Sequence, residues 1–265
     1  MHARSALFDL YGDHLLDRGG WAPISASVGL LGSLGISAPA VRTAVSRMVR
    51  EGWLEPVERE VRGYAVTSRG RARLTEAHAR IYRTDAVRWD GTWHLVVVER
   101  TTDRNARSRC AQALGFLGYG QLAADTWLAP RASREVAGSL AAAGVQWHGF
   151  TSRLDGDPVE LVGRVWDLAA LGAAYQAFAG RVRTHDGAAT AEEAFVARTE
   201  LVHAWRLFLF SDPGLPDEVL PPSWPGREAA RRFDARAREL LPGARDWVDT
   251  WLSGRAPAGP AMMAR

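Results

Sequence analysis

Residues 35–54, GISAPAVRTAVSRMVREGWL, decide how the first third of this chain folds. Gly35-Ile36-Ser37 interrupts a helical pattern that begins near Pro23, and the pattern resumes at Ala38 and lasts to about Glu51, where Gly52 stops it. Ser37 stands at the N-cap position. Two helices joined by so short a glycine-containing turn make a helix-turn-helix. At about 100° per residue, Val41, Ala44, Val45 and Met48 fall in one narrow arc that must face the core. Arg50 points almost directly away, with Thr43 and Ser46 on either side and Arg42 and Arg47 on the flanks. The outward face thus carries three guanidiniums, two hydroxyls and no acid, with Glu51 towards the core edge. A solvated helix normally mixes signs to gain i,i+4 pairs. This face does not, which favours a recognition helix whose arginines fork onto guanine edges or phosphates over a merely solvated basic face.

The flanking sequence supports that reading. Upstream, a helix from about Arg4 to Leu16 places Leu7, Leu10 and Tyr11 on one face, and Asp17-Arg18-Gly19-Gly20 ends it. Downstream, Trp53–Val57 and Tyr64–Thr67 are extended runs joined by the glycine-containing turn Glu58–Gly63, a hairpin with a basic tip. Arg62 there either reaches a minor groove or phosphate or is a plain turn arginine. A helix-turn-helix followed by such a hairpin is a winged helix. Thr67 or Ser68 then caps a helix carrying Arg69, Arg71 and Arg73, a solvated face first and a phosphate contact second.

The 265 residues are 47% hydrophobic and 24% charged, enough apolar surface for more than one globular core. The chain has 33 arginines and no lysine, a choice that codon bias in a GC-rich genome explains. Bias does not explain the distribution: residues 1–88 carry 13 arginines against 9 acids, 89–160 carry 7 against 8, and 161–265 carry 13 against 13. The surplus positive charge sits where the helix-turn-helix is, as expected of a module that meets a polyanion. One cysteine, Cys110, excludes an intramolecular disulfide and multi-cysteine metal sites, and reads as a small buried apolar residue. Asp9, Asp13, His14 and Asp17 break any signal-peptide pattern, and the weakly polar run Leu168–Gly180 is shorter than the ~20 residues a membrane span needs. A soluble cytoplasmic protein without membrane partner, cofactor or metal is expected.

Beyond Trp89 the pattern changes. Trp93–Val98 reads as a buried strand, Arg104–Leu117 as a helix, Asp125–Ala129 as a strand, Ser133–Ala143 as a helix, and Val145–Phe150 and Val159–Trp166 as two further strands. That order suggests a ferredoxin-like α+β domain in which one strand has escaped the pattern. Leu168–Val182, Glu192–Phe210, Arg227–Leu241 and a short Asp246–Leu252 segment have helical spacing, and the last dozen residues read as frayed. The expected class is α+β multidomain: a winged helix-turn-helix over 1–88, a ferredoxin-like central domain over 89–167 and a helical C-terminal domain over 168–265.

LFDLYGDHL, GISAPAVRTAVSRMVREGWL, RGYAVTSRGRARL, WDGTWHLVVV and LVHAWRLFLFSDPGLPDEVLPPSWPG together resemble the PaaX family of bacterial transcriptional regulators, in the same order and over nearly the whole chain. The resemblance implies a homodimer that binds double-stranded operator DNA and represses a catabolic operon of the phenylacetate type. It also implies release by an aryl acyl-coenzyme A such as phenylacetyl-CoA, the alternative being a regulator of the same build with another effector, a different acyl-CoA or a free aromatic acid. A coenzyme A ester needs cations and an apolar slot. By residue type the candidates are Arg107, Arg109, Arg131 and Arg134 in the middle, and Arg198, His203, Trp205, Arg206 and Trp224 later, against the competing reading of core aromatics and ion pairs. Enzyme signatures are absent: there is no G-x-S-x-G elbow, Walker loop or dinucleotide fingerprint, and Gly115–Gly120 has the wrong glycine spacing. His94 and His148, on predicted strands, read as structural. Glu99 and Asp103, near the end of the first central strand, are the one place for an alternative metal-dependent nuclease.

Overall fold

The computed structural model describes residues 1–82, 88–182 and 190–255, so all but the first two of the dozen tail residues expected to fray lie outside them. The chain divides into two compact units, Met1–Asp85 with Arg181–Arg206 and Arg231–Arg265, and Ala86–Gly180 with Leu207–Ala230. The last third of the sequence contributes helices to both units because its apolar faces complete both cores.

In the first unit α1 (Ala3–Asp9) passes directly into a π-helical turn, Leu10–Leu15, and a short 3-10 turn, Leu16–Arg18. The expected single α-helix to Leu16 is therefore corrected from Leu10 onward. The wider turn buries Tyr11, His14 and Leu15 together, and Asp9 and the Asp13 carboxylate are also buried. β1 (Trp21–Pro23), α2 (Ile24–Ser33) and α3 (Ala38–Arg50) follow, then β2 (Leu54–Glu58), β3 (Arg62–Val66) and α4 (Ser68–Tyr82). The three strands form an antiparallel sheet in the order β1-β3-β2, with Ala22 opposite Tyr64 and Pro56 opposite Tyr64 on the other side. β1 has three residues and ends in proline, too little for an alternating pattern to register. Thr67 caps α4, its Oγ1 accepting from the Gly70 amide at 3.1 Å.

The second unit is built on β4 (Thr92–Val98), α5 (Arg104–Phe116), β5 (Gly120–Ala123), β6 (Thr126–Ala129), α6 (Val136–Ala143) and β7 (Trp147–Arg153). The strands pair antiparallel in the order β5-β6-β4-β7. β5 is the strand the sequence pattern missed. Val96, Trp127 and Ala129 face α5 and α6, where they meet Cys110, Leu114 and Leu140. Trp93 and Leu128 point to the opposite face. That face is covered by α7 (Pro158–Val165), so the expected strand over Val159–Trp166 is a helix. Asp157 decides this: its side chain accepts from the Val159 amide at 2.8 Å, and Pro158 occupies the first turn, where its missing N–H costs nothing. Leu161 and Val162 then bury against the sheet. α8 (Leu168–Arg181) carries Tyr175, whose ring stacks on Phe208 at 4.1 Å and whose hydroxyl bonds to Asp212.

Two helices of the last third join the first unit, the second of them from Arg231 onward. α9 (Ala191–Arg206) contributes Phe195 to the N-terminal core. α10 is one helix, Pro225–Leu252, where two segments were expected. Pro242 removes one backbone bond and tends to kink a helix. Yet Phe233, Ala237, Leu240, Ala244 and Val248 form one buried stripe through it, and that burial holds the helix together. Near its end the Trp251 ring packs on Gly29 of α2, where a methyl group would come within 2.1 Å of the ring.

Buried charge fixes α9 against the N-terminus. Arg198 donates through Nε to Asp13 Oδ2 at 2.8 Å and through Nη2 to Oδ1 at 2.9 Å, and its Nη1 meets the Ala237 carbonyl. Tyr82 donates to Asp13 and accepts from Arg198 at 2.7 Å. The Thr199 hydroxyl donates to the Phe195 carbonyl, so it can only accept from His14 Nε2 at 3.1 Å, which sets the His14 tautomer. Burial raises the Asp13 carboxyl, but His14 and Arg198 outweigh it and hold it below the usual carboxylate range. Burial also pushes His14 down to about 4, against the pull of Asp13.

Candidate nucleic-acid interface

α3 is amphipathic in the expected sense. Val41, Ala44, Val45 and Met48 are buried with Leu7, Leu10, Leu30 and Leu31, while Arg42, Thr43, Ser46, Arg47 and Arg50 are exposed. Among the described residues Arg42 and Arg50 have no hydrogen-bond or ion-pair partner. Arg47 differs: its Nε reaches Glu51 Oε1 at 2.8 Å, and Arg4 takes the other oxygen at 2.6 Å. The acid placed towards the core edge is therefore i,i+4 from Arg47 and holds it. The two guanidiniums also keep the Glu51 carboxyl below its ordinary pKa. Ser37 occupies the N-cap position, but its side chain makes no capping bond; its carbonyl accepts from the Val41 amide at 3.0 Å. Its hydroxyl and the amides of Ala38 and Ala40 are thus open to an anion, Pro39 between them having no N–H. Gly52, at φ +75°, ends the helix and turns the chain into β2.

The hairpin β2–β3 turns through residues 59–61, with Arg62 exposed opposite Glu58 on the last rung. Val61 is 52% exposed at the tip. Arg59 is anchored over the Trp21 ring of β1, 4.5 Å from its centroid. On α4, Arg71 donates to the carbonyls of Gly19 at 2.6 Å and Leu16 at 3.4 Å, closing the turn before β1. Arg69 lies over the Trp53 ring and Arg73 pairs with Glu76 at 3.6 Å.

The residues considered for an effector fall into separate places. Arg107 donates to the Thr101 carbonyl at 2.9 Å and Arg109 to the Ala143 carbonyl at 3.0 Å, both in the second unit. Arg131 and Arg134 are exposed in that unit. Trp224 meets Tyr175 edge-on at 6.0 Å. In the first unit His203 Nδ1 lies 2.7 Å from Asp9 Oδ2 and Arg206 Nε lies 2.7 Å from Oδ1. Trp205 stacks on Phe233 at 4.8 Å and donates to the Ile81 carbonyl. Arg198 is the buried partner of Asp13. Sequence reasoning saw Asp9 and Asp13 only as polar breaks; the available signal was two carboxylates four apart inside an otherwise apolar helix.

Glu99 lies 3.1 Å from His148 Nε2, and Asp103 caps α5 by accepting from the Asn105 amide at 2.8 Å. Among the described residues no group of three or more His, Cys, Asp or Glu side chains is placed to hold a metal ion. His94 stands opposite Thr151 and His148 opposite Val97, so the two histidines do not face each other. No helix among the described residues is long and apolar enough to cross a membrane.

Comparison with known proteins covers the same stretches. Residues 2–70 match the family model described as PaaX-like protein, 86–157 that of the PaaX protein central Cas2-like domain, and 166–250 that of the PaaX-like protein C-terminal domain. The chain is 30% identical over 263 residues to the transcriptional repressor PaaX of Escherichia coli strain K12, covering 92% of this chain and 82% of the relative. It is also similar to a solved structure, Uncharacterized protein Rv0674 from Mycobacterium tuberculosis, with a TM-score of 0.63, 25% identity, and coverage of 94% of this chain and 99% of that one.

Proposed function

The chain belongs to the PaaX family of transcriptional regulators, which are not enzymes, and from that premise we propose that it is a DNA-binding repressor of a catabolic operon whose reading element is the outer face of α3. The observation that carries this is the pair of exposed guanidiniums, Arg42 and Arg50, without partners among the described residues, on a helix whose opposite face is fully buried. Thr43, Ser46 and Arg47 extend that face and Ser37 opens it towards a phosphate. In our reading α2, α3 and the β2–β3 hairpin act as a winged helix, with α3 in the major groove and Arg62 on the adjacent backbone. Glu51 must release Arg47 for it to reach DNA, so Arg42 and Arg50 carry more of the specificity. The βαββαβ order with sheet order β5-β6-β4-β7 supports a ferredoxin-like reading of the central region.

By family resemblance the protein works in the cytoplasm as a homodimer on double-stranded operator DNA and leaves it when an aryl acyl-coenzyme A such as phenylacetyl-CoA binds. Two half-sites then lie about one helical turn, or a multiple of it, apart. The deciding experiment is a mobility-shift assay on the DNA upstream of the protein's own gene and its neighbours, repeated with a panel of acyl-CoA thioesters. A shifted band released by one thioester and not by its free acid is the expected result. Absence of any sequence-specific shift would reject the repressor reading.

A further inference from the structure

Within the first unit, the π-helical turn, α4 and the middle of α10 enclose a cleft of about 790 Å³. Sites that hold small organic molecules run from roughly 300 to 1,000 Å³. The floor is the Asp13–Arg198 pair, with side chains 4% and 6% exposed and hydrogen-bonded to each other, so it lends the cleft little net charge. The walls are different. Leu16, Leu241 and the Tyr82 ring give an apolar lining, and Arg238 and Arg245 project from α10 about two turns apart. Arg238 uses only Nε, on the Asp234 carbonyl at 3.1 Å; its two terminal amines have no partner among the described residues. Arg245 gives Nη2 to Asp17 at 3.1 Å and keeps its other donors. An unused guanidinium fork beside an apolar wall complements an anionic group carried on an apolar body.

We propose that this cleft binds an amphipathic organic anion, its carboxylate or phosphate on Arg238 and Arg245 and its apolar body against Leu16, Leu241 and Tyr82, and that α3 senses its occupancy through the π-helical turn. Gly12 and Asp13 of that turn line the cleft, with Leu16 directly after it. From the same turn Leu10, Tyr11 and Leu15 are buried in the core that holds Val41, Val45 and Met48 of α3. Tyr11 also donates to the Tyr64 carbonyl of β3 at 3.1 Å. A ligand that displaces this turn therefore displaces the reading helix or the hairpin. Both walls depart from the regular helical ladder: one is a π-turn, a feature frequent at functional sites, and on the other Pro242 leaves the Arg238 carbonyl without its usual i+4 donor.

The consequence for DNA rests on the repressor reading; binding in the cleft does not, so the two are measured separately. Isothermal titration of the full chain with phenylacetyl-CoA, phenylacetate and coenzyme A is compared for wild type, Arg238→Glu and Thr75→Trp. Arg238 and Thr75 are exposed on the cleft's lining, so both variants are expected to fold. The expected result is that an aryl probe binds wild type and is weakened about tenfold or more by each substitution. Phenylacetate binding as well as its thioester puts a carboxylate on the arginines, and thioester binding alone puts a phosphate there. Unchanged affinity in both variants, or no heat from any probe at millimolar concentration, overturns the site. Binding that fails to lower operator affinity in wild type overturns the link to α3. A cleft that binds its probe in a protein with no operator affinity sinks the repressor reading and leaves the site standing.

Discussion

The arginines of α3 and those of α9 are the same side chain put to opposite uses within one compact unit. On α3, Arg42 and Arg50 stand in solvent with no partner among the described residues. On α9, Arg198 is 5% exposed and Arg206 half-buried, and both meet carboxylates of the N-terminal helical segment, Asp13 and Asp9. A guanidinium taken out of water must be paired to be tolerated, while one left in water keeps its donors for an incoming polyanion. Charge counts do not separate the two; position relative to the core does.

The comparison is broken most severely at the buried end. Arg198→Ala leaves the Asp13 carboxylate inside the unit without its main partner and should cost about 3–5 kcal/mol. Chemical denaturation measures it, and a loss below 1 kcal/mol would mean that Arg198 is no more embedded than an exposed arginine. Acid tests the same cluster without a mutation. His14 titrates near 6.5 when unfolded and at about 4 when folded, so the unfolded chain binds its proton first. Stability is whole above about pH 6.5 and falls by roughly 3 kcal/mol as the pH drops to about 4. Below the ordinary carboxylate range, protonation of Asp13 adds to the loss. A melting temperature that is flat from pH 7 to pH 4, or that falls equally in His14→Gln, contradicts the assignment.

At the exposed end the effects are smaller and fall on binding. Arg50→Ala should weaken operator binding by about 1–3 kcal/mol and relax specificity at one base pair, with the melting temperature unchanged. Arg47→Ala should cost less, because that side chain starts out held by Glu51. Equal losses in the two variants would show that the Glu51 pair has no bearing on readout. Arg62→Ala is expected to have the least effect: a uniform loss across sequences and a salt slope reduced by about one. A change confined to one operator sequence would instead move Arg62 from backbone to base contact.

What could be read in advance depended on the range of the deciding interaction. α2, α3 and the hairpin were legible because a 3.6-residue period, a glycine turn and two short extended runs are local signals. β1 and β5, with three and four residues, were too short to show a period. The valines and tryptophan of Val159–Trp166 suggested a strand, yet the Asp157 cap and Pro158 start a helix there; local capping outweighed β-propensity. The two helical segments expected over Arg227–Leu241 and Asp246–Leu252 are one helix, because the buried stripe of α10 runs on through Pro242.

By itself the sequence determined which face of α3 turns outward, since amphipathic spacing along one helix settles that without any other part of the chain. It also placed the surplus of positive charge in the first 88 residues. Only the tertiary structure decided which arginines remain available. Asp13 and Arg198 are 185 residues apart in the chain and under 3 Å apart in space, and no local pattern can announce such a pair. The same folding that hides Arg198 brings the π-helical turn against α10, and with it the cleft where Arg238 keeps its terminal amines open.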